Sequence, residues 1–369
     1  MYITCLQRNL KKALSVAERI IGKNLTLPIL NNILISVKDK KIRISSTNLE
    51  IGINYWLSGK VEKEGELTIP AKVFSSFIGN LPNKKIELKA SKDSQLNLKC
   101  ENYKANFKGL SAKDFPIIPE ITGKPIFKIK GNILRDGLNQ VVGMAAFSES
   151  RPEISGIYFG FDKNIIKLVA TDSFRLAEKN IENKIENPIE RSLIIPQRTI
   201  QELIRVLSEE ENDNEVSVIL GGNQILFDIG YCQIISRLID GQYPDYEQII
   251  PKESKTQVVV KKDELVNAVR LASLFSSKIN DVNLNISDKG QIEVSAKDID
   301  LGDNKSQIKA EVDGKGLNIS FNYRYLLDGL NNILSDKLVF NLSTDSSPVL
   351  IKPVGDKNYT YMIMPIKNN

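Results

Sequence analysis

Pro196-Gln197-Arg198 opens a segment in which Ile200, Ile204 and Leu207 recur at helical spacing, and the same opening occurs twice more along the chain. It reads Pro70-Ala71-Lys72 with Phe74, Ile78 and Leu81 behind it, and Asn322-Tyr323-Arg324 with Leu326, Leu330 and Ile333. The basic residues Lys72, Arg198 and Arg324 each stand 126 residues from the next. A second segment keeps nearly that period. It reads IRISSTNLEIG at 42–52, IKLVATDSFRLA at 166–177 and IEVSAKDIDLG at 292–302, placing Asn48, Asp172 and Asp298 124 and 126 residues apart. Solenoid repeats run about 20–50 residues. A period this long is that of a domain, so 369 residues hold one fold used three times.

Within each copy a helical stripe comes first. Leu10 and Leu14, Leu134 and Leu138, and Leu265 and Val269 are spaced i, i+4 and share a helix face. Alternating segments such as Lys41-Ile42-Arg43-Ile44-Ser45 and Gln291-Ile292-Glu293-Val294-Ser295 read as half-buried strands. The second helix and further short strands follow, punctuated by turns at Gly221-Gly222-Asn223, Asp240-Gly241 and Asp313-Gly314-Lys315-Gly316. The expected fold class is α+β, with two helices packed on antiparallel sheets in each copy. Apolar periodicity lapses near Gly123-Lys124-Pro125 and Pro251-Lys252-Glu253-Ser254, which gives domains at 1–123, 124–252 and 253–369. Asp114-Phe115-Pro116 and Gln242-Tyr243-Pro244 lead from one copy into the next. The third copy has no successor, so Tyr361-Met362-Ile363-Met364-Pro365-Ile366-Lys367 reads as a free apolar tail.

A 41% hydrophobic and 26% charged composition suits globular domains with their own cores. The longest apolar runs fall far short of the roughly 20 residues of a membrane span. The start of the chain lacks the charged-then-apolar layout of a signal peptide, so a cytoplasmic protein is expected. Cys5, Cys100 and Cys232 are odd in number and far apart, which fits free thiols and argues against a disulfide framework or zinc site. The chain has no histidine. That weighs against Ser-His-Asp and Cys-His catalysis and against histidine-ligated metals, and neither a cofactor nor a metal is expected.

The net charge of +5 is unevenly distributed. The six predicted helices, at 6–23, 70–85, 131–147, 196–208, 261–278 and 322–337, together carry +10, leaving −5 for the rest. The first copy's two helices hold +7 of that. Basic charge collected on one class of element suits a surface that meets a phosphate backbone. Basic residues interleaved with aromatics do not occur along the chain, so stacking on single strands is not indicated. Helix-turn-helix and zinc-finger spacings are missing as well, which leaves non-specific, salt-sensitive contact with duplex DNA.

Four motifs in order resemble those of the bacterial DNA polymerase III beta subunit family, the replicative sliding clamps. They are Leu27-Pro28-Ile29-Leu30-Asn31-Asn32, ATDSFRLA at 170–177, DGQYPDYEQIIP at 240–251 and YMIMPIK at 361–367, and the likeness runs end to end. The resemblance implies a homodimer closed head to tail into a ring of six similar domains, with helices lining a hole around duplex DNA. It implies a non-catalytic processivity factor with a cleft that captures short peptides from the polymerase III alpha subunit, the clamp loader and repair proteins. The cleft maps to Ile154, Thr171, Ser173, Phe174, Arg175, Leu176, Pro244, Gln248, Ile249, Met362, Ile363, Met364, Pro365 and Ile366. There Arg175 is expected to receive a peptide carbonyl or carboxylate, and the methionines give a polarizable lining. DNA contact is expected at Lys11, Lys12, Lys23, Lys72 and Arg198, and the dimer interface at Phe107, Leu274 and Phe275.

This sequence departs from the family pattern at several points. Ser173-Phe174 stand where Gly-His is common and Gln248 where arginine is frequent. Lys367-Asn368-Asn369 replace a common Arg-Leu ending, and Asn24 takes the place of a DNA-contacting arginine, with Lys23 beside it. Two other readings compete with the clamp. One is a static duplex-binding scaffold. The other is a cytosolic hydrolase built on Asp172 and Arg175, which the repeat weakens because Asn48 replaces the carboxylate in the first copy.

Overall fold

The computed structural model describes residues 1–22, 26–91, 93–148, 150–162, 164–187, 189, 191–209 and 214–367. Among these, six α-helices carry the repeat: α1 (Gln7–Glu18), α2 (Ala71–Gly79), α3 (Gly131–Val142), α4 (Gln197–Ser208), α5 (Lys262–Ser273) and α6 (Tyr323–Asn332). Their apolar residues return every third or fourth position and go under. Leu10, Leu14, Leu134, Leu138, Leu265 and Val269 are all buried. Lys72, Arg198 and Arg324 are each the second residue of a helix, as the repeat predicts. In α4 the expected stripe shifts, because Ile204 is half-buried while Leu203, Val206 and the charged Glu202 are buried.

Helix starts follow local chemistry. Asn322 caps α6, its side-chain oxygen accepting from the backbone nitrogens of Arg324 and Tyr325. That satisfies two of the donors a helix start leaves open. Pro70 precedes α2 and offers no such cap.

The strands, nine in the first repeat and eight in each of the others among the described residues, form three antiparallel sheets. A five-stranded sheet runs Gly59–Lys63, Tyr2–Leu6, Lys85–Ala90, Gln95–Cys100, Tyr103–Lys108. An eight-stranded sheet runs Phe127–Lys130, Glu215–Gly221, Gln224–Asp228, Cys232–Arg237, Ile51–Leu57, Lys41–Thr47, Asn32–Lys38, Gly65–Pro70. In the twelve-stranded sheet, Arg175–Glu182 lies beside Tyr359–Ile363, which continues into Val349–Pro353 and Lys337–Leu342.

Two of these sheets cross a repeat boundary. Cys232–Arg237 of the central repeat pairs with Ile51–Leu57 of the first, Ile234 opposite Ile53. Arg175–Glu182 of the central repeat pairs with Tyr359–Ile363 of the third, Leu176 opposite Met362 and Ala177 opposite Tyr361. The chain accordingly packs as two compact units. The first comprises Met1–Asn132, Ile185–Pro188 and Arg198–Leu238, and the second Ile133–Lys184, Ile189–Gln197 and Ile239–Asn369. The central repeat contributes strands to both, because backbone hydrogen bonds bind each half into a different sheet.

The C-terminal segment is not free. Tyr359–Ile363 is hydrogen-bonded on both sides, to Arg175–Glu182 and to Val349–Pro353. Tyr359, Tyr361 and Ile363 are fully buried and Met362 is 3% exposed. An apolar strand with two unpaired edges would leave its backbone unsatisfied, so the sheet absorbs it. Beyond it the backbone stays tethered, Met364 donating its N–H to Phe174 O (2.8 Å) and Ile366 its own to Ser320 O (2.8 Å).

Candidate functional site

The repeated Asn48, Asp172 and Asp298 build turns. Asp172 Oδ1 accepts from the backbone nitrogens of Phe174 and Arg175, both at 3.0 Å, while Asn48 Oδ1 accepts from Glu50 and Ile51. Asp298 Oδ1 accepts from Asp300 and Leu301. In the first two copies a threonine completes the turn. Thr47 and Thr171 each donate a hydroxyl to the carbonyl four residues on and accept the N–H two residues on. The residue between sits at positive φ, 76° for Leu49 and 78° for Ser173. A short polar side chain that mimics backbone is what such a turn requires. Asp172 is therefore a turn former first, and its other oxygen is held by Arg175 Nε at 2.9 Å. With both oxygens engaged, the proposed catalytic pair is a structural ion pair.

This turn projects Phe174, 59% exposed, and Arg175 on neighbouring positions. The Phe174 ring stacks on Tyr325 with centroids 6.3 Å apart and planes at 25°. The Arg175 guanidinium lies 4.4 Å from the centroid of the same tyrosine. Its Nη1 donates to Asp328 (2.5 Å) and its Nη2 to the Gly143 carbonyl (3.3 Å). Burial alone would lower this guanidinium, but the Asp328 hydrogen bond, the Tyr361 hydroxyl and Asp172 leave it raised and permanently charged. Three of its five N–H donors are thereby engaged within the protein. Tyr325 and Asp328 were not anticipated, since they lie about 150 residues along the chain from Arg175.

Leu176 and Met362, each two residues from Phe174 and Met364 along the chain, belong to a buried apolar cluster with Val169, Ile194, Tyr243, Tyr246 and Leu350, and Tyr158, Ile239 and Ile250 pack against it. Tyr158 meets Tyr243 at 5.1 Å and Tyr246 at 6.1 Å between centroids. The Tyr246 hydroxyl donates to Glu178 (2.7 Å), and burial followed by the Glu178 charge pushes it above the ordinary phenol range. Of the predicted cleft residues, Ile154, Thr171, Leu176, Met362, Ile363 and Pro365 are buried and support the surface. Ser173, Phe174, Pro244, Gln248 and Ile249 are exposed, and Arg175, Met364 and Ile366 are half-buried. Gln248 is turned toward Asp245, donating from Nε2 at 2.7 Å.

The predicted DNA residues belong to the first unit. Lys11 and Lys72 stand exposed on α1 and α2, opposite buried faces formed by Leu10, Leu14 and Ala17 and by Phe74 and Ile78. Lys12 is half-buried, and Lys23 lies outside the described residues. Arg198 donates from Nη2 to the Ile20 carbonyl (3.3 Å), so it also holds down the backbone beyond α1. Further along, Arg205 bonds the buried Glu202 (2.6 Å) and Arg19 pairs with Glu209. Among the predicted interface residues, Phe107 is only 9% exposed and packs edge-on against Phe74 and Phe77. Leu274 is 66% exposed with Phe275 half-buried beside it.

Three family models match the chain in order. They describe the N-terminal, central and C-terminal domains of the DNA polymerase III beta subunit, at residues 1–119, 128–245 and 247–367. A beta sliding clamp from Synechocystis is 28% identical over 388 residues, covering 100% of this chain and 99% of that one. The crystal structure of a DNA polymerase sliding clamp from Bacillus subtilis superposes with a TM-score of 0.94 at 26% identity and full coverage of both chains. A Pseudomonas aeruginosa sliding clamp bound to griselimycin gives a TM-score of 0.94 at 27% identity, again covering both chains completely.

Proposed function

The chain belongs to the DNA polymerase III beta subunit family, the sliding clamps, and on that premise we propose which of its surfaces meet the polymerase, the DNA and a second copy. It is a DNA sliding clamp, the processivity factor that keeps a replicative polymerase on duplex DNA. In this reading the Asp172–Arg175 pair, engaged in a turn and an ion pair, holds the shape of the site.

Partner peptides dock on the exposed side of the Phe174–Tyr325 stack, between Met364 and Ile366 on one flank and Pro244 and Ile249 on the other. The observation that carries this is the tethered C-terminal strand, which gives Met362 to a buried tyrosine-rich cluster, ends at Ile363 and is followed by Met364, bonded to Phe174 O. A flat aromatic ring and a flexible thioether accept varied apolar side chains, which suits a site shared by several partners. Because Arg175 already answers two carboxylates, peptide selection here rests on apolar fit. Gln248, where relatives often have arginine, pushes in the same direction. The partners are the polymerase alpha subunit, the clamp loader and repair proteins. A Pseudomonas relative solved with griselimycin makes a competition assay available.

Duplex DNA runs along Lys11, Lys12, Lys23, Lys72 and Arg198 through phosphate contacts alone. Two copies close head to tail through Phe107, Leu274 and Phe275. The repeats at 1–123, 124–252 and 253–369 act as the six domains of that assembly, in the cytoplasm. Retention on DNA is the test. A closed clamp loaded on nicked circular DNA stays bound through gel filtration and is released when the circle is linearised. Equal loss from both would favour the static scaffold, and a monomer at micromolar concentration in light scattering would remove the ring.

A further inference from the structure

The five-stranded sheet of the first unit buries one face and leaves the other to solvent. Ile3, Cys5, Ile86, Leu88, Leu96, Leu98 and Phe107 point inward. On the outer face, strand register aligns residues from five strands into rows. One row reads Lys63, Tyr2, Lys89, Asn97, Asn106, and the next Lys60, Thr4, Glu87, Lys99, Lys104. Five lysines thus stand in two adjacent rows, with Glu87 between them and Glu62 beside the edge, where it pairs with Lys60 at 3.3 Å. Glu87 is engaged by the Tyr2 hydroxyl at 3.3 Å. Lys89, Lys99 and Lys104 are exposed, with no ion-pair partner among the described residues. The Lys89 ammonium lies 6.0 Å over the Tyr2 ring. A shallow depression of about 610 Å³ opens at the same place, lined by Tyr2, Glu87, Lys89, Asn97, Lys99 and Lys104 among others.

We propose that this outer sheet face is a second nucleic-acid site, distinct from the basic helices, and that it binds single-stranded DNA. Lys89, Lys99 and Lys104, exposed on three neighbouring strands, supply the charge complementarity for a polyanion. Alternate residues along a strand lie about 6.7 Å apart and neighbouring strands about 4.8 Å. That grid matches a backbone of phosphates spaced along an extended strand. Tyr2 gives an aromatic surface set among the cations, which an unpaired base can stack on and a duplex cannot. Asn97 and Asn106 continue the Tyr2 row and offer amides to base edges. The occupant is the single strand that accompanies duplex at a site of synthesis, which the clamp's own work places nearby.

The test uses the full-length protein and a fluorescein-labelled oligothymidylate in anisotropy titrations over a salt series. Lys89→Glu, Lys99→Glu and Lys104→Glu together are expected to weaken binding at least tenfold and to reduce the log–log salt slope by about 2. Tyr2→Ala alone is expected to weaken it by about fivefold through lost stacking. Thermal melting of each variant should stay near that of the parent, since the charged positions are exposed. Lys11→Glu, Lys12→Glu and Lys72→Glu together should loosen duplex retention and lower oligothymidylate affinity less than the sheet-face triple variant does, with the Tyr2→Ala effect preserved, so failure of this site and failure of the clamp reading are separable. Unchanged oligothymidylate affinity in the sheet-face triple variant overturns the proposal. So does poly-glutamate binding as tightly as the oligonucleotide with no effect of Tyr2→Ala, which would make the face a docking site for acidic peptide. Tighter binding of oligouridylate than of oligothymidylate would overturn the assignment to DNA.

Discussion

Arg175 of the second unit and the lysines on the helices of the first carry the same formal charge and meet opposite fates. Arg175 is half-buried against Tyr325, with Asp172 and Asp328 both in hydrogen-bond contact and a carbonyl on its third nitrogen. Lys11 and Lys72 stand in solvent on helix faces whose opposite sides form the core. The first kind of charge holds structure together and shapes a surface for apolar ligands. The second stays available to a phosphate backbone, where its action is long-ranged and sensitive to salt. A count of basic residues cannot tell these apart; what decides is which carboxylates the fold brings within reach.

One of the two largest effects should come from breaking the paired charge. Arg175→Ala removes the ion-pair partner of the half-buried Asp172 and empties one face of Tyr325, and should lower the unfolding free energy by about 2 kcal/mol. Lys72→Ala should stay within about 0.5 kcal/mol. Chemical denaturation of the two variants checks this, and equal losses would erase the distinction between the units. Gly329 on α6 offers a second contrast, because a Cβ there would run into the Tyr361 ring, whereas one at Gly79 of α2 would meet open space. Gly329→Ala should cost about 2 kcal/mol by overpacking, and Gly79→Ala should gain about 0.5 kcal/mol from a stiffer unfolded chain. A neutral Gly329→Ala in thermal melts would mean that α6 is free to move off the C-terminal strand.

On the side of free charge, Lys11→Ala, Lys12→Ala and Lys72→Ala together should reduce the salt slope of duplex binding by about 3, near one unit for each phosphate no longer neutralised. An unchanged slope would take these residues off the DNA. Phe174→Ala, or Met364→Ala with Pro365→Ala, should weaken partner peptides about tenfold in calorimetric titrations while retention on circular DNA is kept. Undiminished peptide affinity would place the docking surface elsewhere. The smallest effect concerns the thiols. Burial pushes Cys5 up to about 12 and also raises Cys232. Both groups hold their protons more tightly folded than unfolded, so their contribution to stability is complete below about pH 9 and falls as pH climbs toward 12. At pH 8 a thiol reagent should react only as fast as the protein opens, and rapid labelling of the native protein would contradict the burial.

Much of the fold was legible because helical stripes and strand alternation are local. Leu10 with Leu14 and Leu265 with Val269 announce their buried faces within one turn. Asn48 and Asp172 were legible as equivalent positions, and a turn or ion pair is the ordinary role of an Asp near an Arg, but the pattern of acceptors was not, since it depends on the positive φ of Leu49 and Ser173. Tyr325 and Asp328 escaped notice because nothing near them in sequence signals Arg175. The apolar tail, read from sequence as free, proved to be an interior strand.

By itself the sequence determined the helices with their buried stripes from residues close in the chain, the threefold repeat from segments recurring about 126 residues apart, and the family from four motifs in order. Only the tertiary structure decided which charges are paired, which remain free, and that the central repeat divides its strands between two sheets. The physical reason is that hydrogen bonds between strands and ion pairs between side chains join residues tens to hundreds of positions apart. Their energies depend on distance in space, to which order along the chain is no guide.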